Sequence, residues 1–160
     1  MAKYRLLTTE ELNELEKEFI DFLILNGIAA DDWEKMKKEN SEETNVIIGL
    51  FSDVVFEGIM RKVKFLEHRT KNSVKAFQCL DKKIVLAVMD APTNNKIDFT
   101  DSDFIQKATK NAPKGLKVYT SEKEYSKTRE LEIFEMITNG CTISEGQLFK
   151  TLCLVMPSKN

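Results

Sequence analysis

The chain has 160 residues, of which 42% are hydrophobic and 31% are charged, and its formal net charge is −2. This length suits one domain with a buried core, and the composition is that of a globular rather than a disordered protein. The most apolar early stretch, FIDFLILNGI, is about half as long as a bilayer span requires and contains Asp21, which argues against a membrane protein.

The first predicted element is a long amphipathic helix. Thr8 or Thr9 is the expected N-cap before EELNELEKEFIDFLIL, and Gly27 is the expected stop. Apolar residues recur every three or four positions and predict one buried face. That face comprises Leu12, Leu15, Phe19, Phe22, Leu23 and Leu25.

Two more helices are predicted before residue 62. The segment AADDWEKMKKEN favours a short helix capped by Asp31 or Asp32, with Trp33 and Met36 turned inward. A third helix is expected over residues 41–61, and its unusually broad apolar surface predicts a central position. That surface comprises Val46, Ile47, Leu50, Phe51, Val54, Val55, Ile59 and Met60.

From Val63 the period becomes extended and predicts three strands, at about residues 62–69, 73–80 and 83–89. Short polar breaks between them suit antiparallel hairpins. KIVLAVM is apolar throughout and is expected to be the middle strand.

A helix is then expected in DFTDSDFIQKATKNA, followed by a fourth strand in LKVYT, residues 116–120. If that strand lies beside the third, the helix becomes a right-handed crossover. Asp98, Asp101 and Asp103 lack the glycine and the terminal glutamate of a calcium loop, so helix capping explains them better.

The tail predicts two helices, in SEKEYSKTRELEIFEMITNG and in EGQLFKTLCLVM, the second capped by Ser144. The helix, glycine turn and second helix look like a degenerate helix-turn-helix unit. Lys150 is the only basic residue between the cap and the final residues. A recognition helix with basic side chains for the phosphates is therefore missing, and the sequence of the tail does not favour nucleic-acid binding.

These elements predict a single α+β domain over residues 1–160. N-terminal helices are expected to pack on a small mixed or antiparallel sheet of about four strands, with C-terminal helices completing the core.

Asp53, Glu57 and His68 are the candidate metal ligands. The two carboxylates are four residues apart on the third helix and share a face, and the single histidine follows on the first strand. Such a set would suit a metal-dependent hydrolase. We favour an exposed polar stripe, in which Glu57 pairs with Arg61 at the same spacing. No cofactor is predicted and no catalytic residue is assigned.

The three cysteines, Cys79, Cys141 and Cys153, form no CxxC pair. Their odd number indicates reduced thiols and a cytoplasmic protein, and the start of the chain carries no apolar signal-peptide core. Cys79 and Cys153 lie in apolar runs and are expected in the core, whereas Cys141 follows a turn and is expected to be exposed.

Charge is distributed unevenly along the chain. Residues 1–60 carry 14 acidic and 6 basic side chains, whereas residues 61–160 carry 12 acidic and 18 basic ones. An acidic half and a basic half favour electrostatic contact, within the chain or between copies. The basic residues are spread out rather than gathered in a run, which is not the footprint of a nucleic-acid binder.

Five segments carry a family resemblance: YRLLTTEEL, FSDVVFEG, KFLEH, RELEIF and GCTISEGQLFK. They are similar to the signature segments of a family of short bacterial proteins from the Bacteroidetes group, a domain of unknown function. The resemblance spans nearly the whole chain and implies a bacterial cytoplasmic protein that stands alone as one domain. It implies no activity, cofactor or catalytic residue.

The leading hypothesis is therefore a non-catalytic cytoplasmic interaction or regulatory module, with a protein partner or self-association and no membrane contact. A metal-dependent hydrolase is the first alternative, and nucleic-acid binding through the tail is the second.

Overall fold

The structure is a computed structural model that describes residues 2–92, 98–101, 103 and 115–155. Helices at both ends of the sequence flank the strands of an antiparallel sheet, which confirms the α+β class. The chain falls into two compact units, Met1–Arg61 and Lys62–Asn160.

The described part of the N-terminal unit is built from helices. They are α1 (Thr9–Glu14), α2 (Glu16–Leu25), α3 (Ala30–Glu39) and α4 (Ser41–Lys62). A single helix was predicted where α1 and α2 lie, and this is wrong because the backbone leaves helical geometry at Leu15 (φ −105°, ψ 25°). Hydrogen bonds continue across the break, since the Leu15 N–H donates to the Glu11 carbonyl and the Leu15 carbonyl accepts from Phe19. The interruption is a kink of one residue.

Side-chain capping fixes where α1 begins, but not where α3 begins. The Thr8 hydroxyl accepts from the Glu11 N–H at 3.1 Å and the Glu11 carboxylate accepts from the Thr8 N–H at 2.9 Å, which is a capping box. The Thr8 prediction is confirmed. The cap predicted at Asp31 or Asp32 is wrong, because α3 starts after Ala29 and both aspartates lie in its first turn.

Aromatic side chains from three helices form the core of this unit. The Phe19 ring meets the Trp33 ring edge-on at 5.1 Å and the Phe51 ring at 4.9 Å. Gly27 ends α2 with a φ of 75°, as predicted. Leu25 was expected on the buried face but is 85% exposed.

The broad apolar surface of α4 is only partly used for packing. Phe51 and Met60 are buried, but Val46, Leu50, Val54 and Ile59 are exposed. The central position predicted for this helix from its broad apolar surface is therefore wrong on the side that carries these four residues, which is exposed. Apolar residues on α4 exceed what one packed face can hold.

The C-terminal unit contains a sheet in the order β4-β3-β2-β1-β5, with antiparallel pairing between all neighbours. Its strands are β1 (Phe65–Arg69), β2 (Ser73–Cys79), β3 (Lys83–Asp90), β4 (Lys117–Glu124) and β5 (Thr142–Ser144). The two predicted hairpins are confirmed. KIVLAVM forms β3, which is an interior strand between β2 and β4 rather than the middle one.

Two predictions about the sheet are corrected. The fourth strand lies beside β3 as expected, but the pairing is antiparallel, so the rule for parallel crossovers does not apply. It also runs on to Glu124, because residues that were expected to open the tail helix continue the pairing with β3. The short strand β5 was not predicted.

Two helices complete the described part of this unit, α5 (Arg129–Thr138) and α6 (Gln147–Val155). Leu148, Phe149 and Leu152 of α6 pack against buried residues of β2 and β3. The strand β5 lies between the helices and pairs with β1, so the segment lacks the short turn of a helix-turn-helix unit. The predicted resemblance of the tail to such a unit is therefore wrong.

The helix expected in DFTDSDFIQKATKNA lies for the most part outside the described residues. Where the chain is described, Asp98 accepts hydrogen bonds from the Thr100 N–H and hydroxyl, and Asp101 accepts from the Asp103 N–H. These aspartates close local turns.

Candidate functional site

Asp53 and Glu57 of α4 bind the N-terminal segment, residues 2–7. The Lys3 N–H donates to both Asp53 oxygens at 2.8 and 2.9 Å, and the Tyr4 N–H donates to Asp53 Oδ1 at 3.2 Å. The Tyr4 hydroxyl donates to Glu57 Oε2 at 2.5 Å. This hydrogen bond lowers the pKa of Glu57 although partial burial opposes it. Both carboxylates are half-buried and engaged, rather than dispersed and water-facing as the sequence suggested.

The predicted ion pair between Glu57 and Arg61 is present, with 3.8 Å between Oε1 and Nη2. A second anchor lies beside Asp53 in α4, where the Leu7 N–H donates to the fully buried Ser52 hydroxyl at 2.9 Å. That hydroxyl donates in turn to the Ile48 carbonyl at 2.7 Å. The face of α4 that carries Asp53 and Glu57 thus has a structural role, which is to hold the N-terminal segment.

His68 lies on β1 of the C-terminal unit, where it is half-buried opposite Lys75 of β2. The chain passes so close at Gly140 that a Cβ atom there would be 3.3 Å from His68 Nε2. Within the described ranges, no three His, Cys, Asp or Glu side chains group in a way that could hold a metal ion. The metal-dependent hydrolase interpretation has no support in this geometry.

The three cysteines are free, and burial raises the pKa of each thiol. Cys79 is buried as predicted, with a pKa raised to about 11, so it is a protonated core residue at neutral pH. Cys141 is half-buried and Cys153 is exposed, the reverse of the order predicted for them.

Glu132 on α5 is the one buried carboxylate among the described residues, at 6% exposure. Burial raises its pKa, but hydrogen bonds from the Lys123 ammonium and the Ser126 N–H outweigh that effect and leave the pKa lowered. Arg129, on the same helix, donates to the carbonyls of Val63 and Cys79. These charged groups tie α5 to the strands and their connections.

A concave groove lies in the N-terminal unit. This α2–α3 groove has a volume of about 580 Å³ and is lined mainly by the facing sides of α1, α2 and α3. Phe19, Leu23 and Trp33 form its floor and are buried. Ile20 and Ile24 form one wall, and they remain 46% and 63% exposed. The volume falls within the range of about 300–1,000 Å³ that is typical of ligand sites.

Polar side chains form the rim of the groove. They are Thr9, Asn13, Glu16, Glu34 and Lys37. Lys37 is already paired, because its ammonium lies 2.9 Å from the Glu34 carboxylate. With Lys37 balanced by Glu34, the rim keeps the negative charge of Glu16. An apolar floor inside a polar, mildly acidic rim can bury apolar side chains and attract a basic partner.

Sequence reasoning missed this groove, although one signal was present. FIDFLIL places six apolar residues in seven, which is more than one helical face can bury. The surplus residues Ile20 and Ile24 lie beside the buried pair Phe19 and Leu23 and extend the apolar surface to solvent.

No helix in the described part of the chain combines the length and the apolar character that crossing a membrane requires.

Comparison with curated proteins and with solved structures found no match. One family model does match, and it covers residues 1–157, including the N-terminal segment, the groove and the sheet. The chain belongs to the family of unknown function DUF6495.

Proposed function

We propose that the protein is a non-catalytic interaction module, and that its N-terminal unit binds a helical segment of a protein partner in the α2–α3 groove. The observation that carries this proposal is the groove itself, in which Ile20 and Ile24 stay exposed beside a buried aromatic floor. Contiguous apolar surface with a polar rim is typical of binding sites.

Helical spacing of the lining residues favours a helix as the occupant. On α2 the groove is lined at Glu16, Phe19, Ile20, Leu23 and Ile24, the i, i+3, i+4, i+7 and i+8 pattern of one helix face. An amphipathic helix can lay its own apolar face along such a surface, as in other helix-in-groove complexes.

Charge favours a basic partner. The N-terminal unit, residues 1–61, contains 14 acidic and 7 basic side chains. A partner helix with lysine or arginine beside its apolar face would gain both apolar burial and electrostatic attraction. We also propose a cytoplasmic setting, which the three free cysteines favour.

Trp33 supplies the test, because it is the only tryptophan of the chain and forms part of the floor. The probe is a synthetic amphipathic helix with leucines on one face and lysines on the other. We expect its titration to change Trp33 emission, and a glutamate version or a scrambled lysine version to bind at least tenfold more weakly.

Two variants replace apolar residues of α2 by asparagine, one inside the groove and one outside it. Ile20→Asn with Ile24→Asn should weaken probe binding at least tenfold, whereas Leu25→Asn, at an 85% exposed position of α2 outside the groove, should not. Equal binding by both proteins, or equal binding of the amphipathic and scrambled peptides, would overturn the proposal.

A further inference from the structure

A second apolar surface lies on α4, away from the α2–α3 groove. Val46, Leu50 and Val54 are 56%, 52% and 58% exposed. They follow each other at intervals of four residues, so they form one row along the helix, which we name the α4 stripe. A cavity of about 330 Å³, lined in part by Leu6, Val46 and Leu50, adjoins it.

Charges of opposite sign lie at the two ends of the α4 stripe. Glu43 lies seven residues before Leu50, and Arg61 lies seven residues after Val54. Seven residues are close to two helical turns, so Glu43 and Arg61 lie in line with the stripe. Asp53 and Glu57 fall on the same line, seven residues after Val46 and Leu50, but both carboxylates are engaged by the N-terminal segment. Arg61 is 69% exposed, and its recorded ion pair with Glu57 is long, at 3.8 Å.

We infer that the α4 stripe binds the α4 stripe of a second copy of this chain, with the two helices antiparallel about a twofold axis. Placing Leu50 of one copy opposite Val54 of the other brings Glu43 of each copy opposite Arg61 of its partner. Both ends then carry an attractive pair, as an isologous interface requires. A parallel arrangement would place like charges together, so the charges select the antiparallel one.

The expected dimer is weak, because three apolar side chains on each copy bury much less than a standard interface. Analytical ultracentrifugation between about 10 μM and 1 mM protein should show reversible self-association within that range. Leu50→Glu should weaken it at least tenfold, since the carboxylate would lie in the centre of the contact. Leu154→Glu is the matched control, because Leu154 is 84% exposed on α6 and should leave association unchanged.

A charge exchange tests the orientation. Glu43→Arg and Arg61→Glu should each weaken association about tenfold, because each breaks two symmetry-related pairs, and the double variant should restore it. Glu43 also accepts a hydrogen bond from the Asn40 side chain at 3.1 Å, so Asn40→Ala controls for loss of that cap. It should leave association unchanged.

Three results would overturn the inference. A monomer at every concentration would do so, as would a dimer that survives Leu50→Glu. Failure of the double exchange to restore association, with α-helical circular dichroism retained, would exclude the antiparallel pairing. None of these results bears on peptide binding in the α2–α3 groove.

Discussion

The Asp53 carboxylate accepts hydrogen bonds from two successive backbone N–H groups, those of Lys3 and Tyr4. An amide at this position would keep one acceptor oxygen and add two donors that face other donors. We expect Asp53→Asn to lower the free energy of unfolding by about 1–2 kcal/mol, measured by urea denaturation. The expected loss in the free energy of unfolding is modest because Asp53 is half-exposed.

Asp21→Asn is the control for this substitution, because Asp21 is exposed on α2 and should tolerate it within about 0.5 kcal/mol. Thermal unfolding with added metal ions separates a structural role of Asp53 from metal binding. If Asp53 anchors the N-terminal segment, manganese, zinc and magnesium should leave the melting temperature of the wild-type protein unchanged. A metal-dependent rise that Asp53→Asn removes would contradict that role.

Glu11 should make the stability of the folded protein depend on pH. The Arg5 guanidinium, which is bidentate to this carboxylate, together with the Thr8 cap, lowers the pKa of Glu11 from 4.5 to about 2. A lowered folded-state pKa stabilises the protein above the ordinary value, and the stabilisation is lost as the pH falls from about 4.5 towards 2.

Glu11→Gln retains an acceptor for the Thr8 cap but removes the charge that faces Arg5. We expect this variant to unfold at lower urea concentration than wild type at pH 7, with the difference shrinking as the pH falls from about 4.5 towards 2. Glu10→Gln, in the same turn, is the control. A difference between Glu11→Gln and wild type that stays constant down to pH 2 would contradict the assignment.

Gly→Ala substitutions at two helix ends can distinguish the cost of backbone strain from the cost of steric overlap. Gly27 after α2 has a φ of 75° and nothing within 4 Å of an added Cβ, whereas Gly146 before α6 has a φ of 95° and a Cβ would lie 2.6 Å from the Phe65 ring. Gly27→Ala should cost about 1–2 kcal/mol from strain alone. Gly146→Ala should cost about 3 kcal/mol or more, because Phe65 must also move. Equal losses in chemical denaturation would contradict this difference.

Most of the elements were predictable because their signals are local. The cap at Thr8, the stop at Gly27 and the two hairpins follow from residue types at fixed spacing. The kink at Leu15 carries no glycine or proline, and β5 has three residues whose only reason to be extended is pairing with distant β1. Non-local pairing of this kind leaves no periodic pattern in the sequence.

The groove and the role of Asp53 were harder to predict for a related reason. The charge pattern of α4 fits an exposed stripe as well as an anchor, and only the path of residues 2–7 decides between them. The sequence shows that Ile20 and Ile24 are surplus apolar residues. The groove forms only because the face of α3 that lines it lies opposite them, and the sequence does not show this packing.

The charge asymmetry of the sequence coincides with the division between the two units. The acidic excess ends at residue 60, and the N-terminal unit ends at Arg61. The acidic excess of the N-terminal unit supports the proposal that this unit attracts a basic partner.

That residues 1–160 fold as one domain stays a prediction, and unfolding can test it. Trp33 emission reports on the N-terminal unit, and amide exchange in β2 and β3 reports on the C-terminal unit. One domain predicts coincident transitions in urea for both signals. Two separate transitions would show that the units unfold independently.

NMR can show directly whether the α2–α3 groove binds a basic amphipathic helix. Addition of the lysine and leucine peptide to ¹⁵N-labelled protein should shift the amide resonances of α2 and α3 residues that line the groove, above all Ile20, Ile24 and Trp33. Shifts that cluster in the C-terminal unit, or that also appear with the scrambled peptide, would contradict specific binding in this groove.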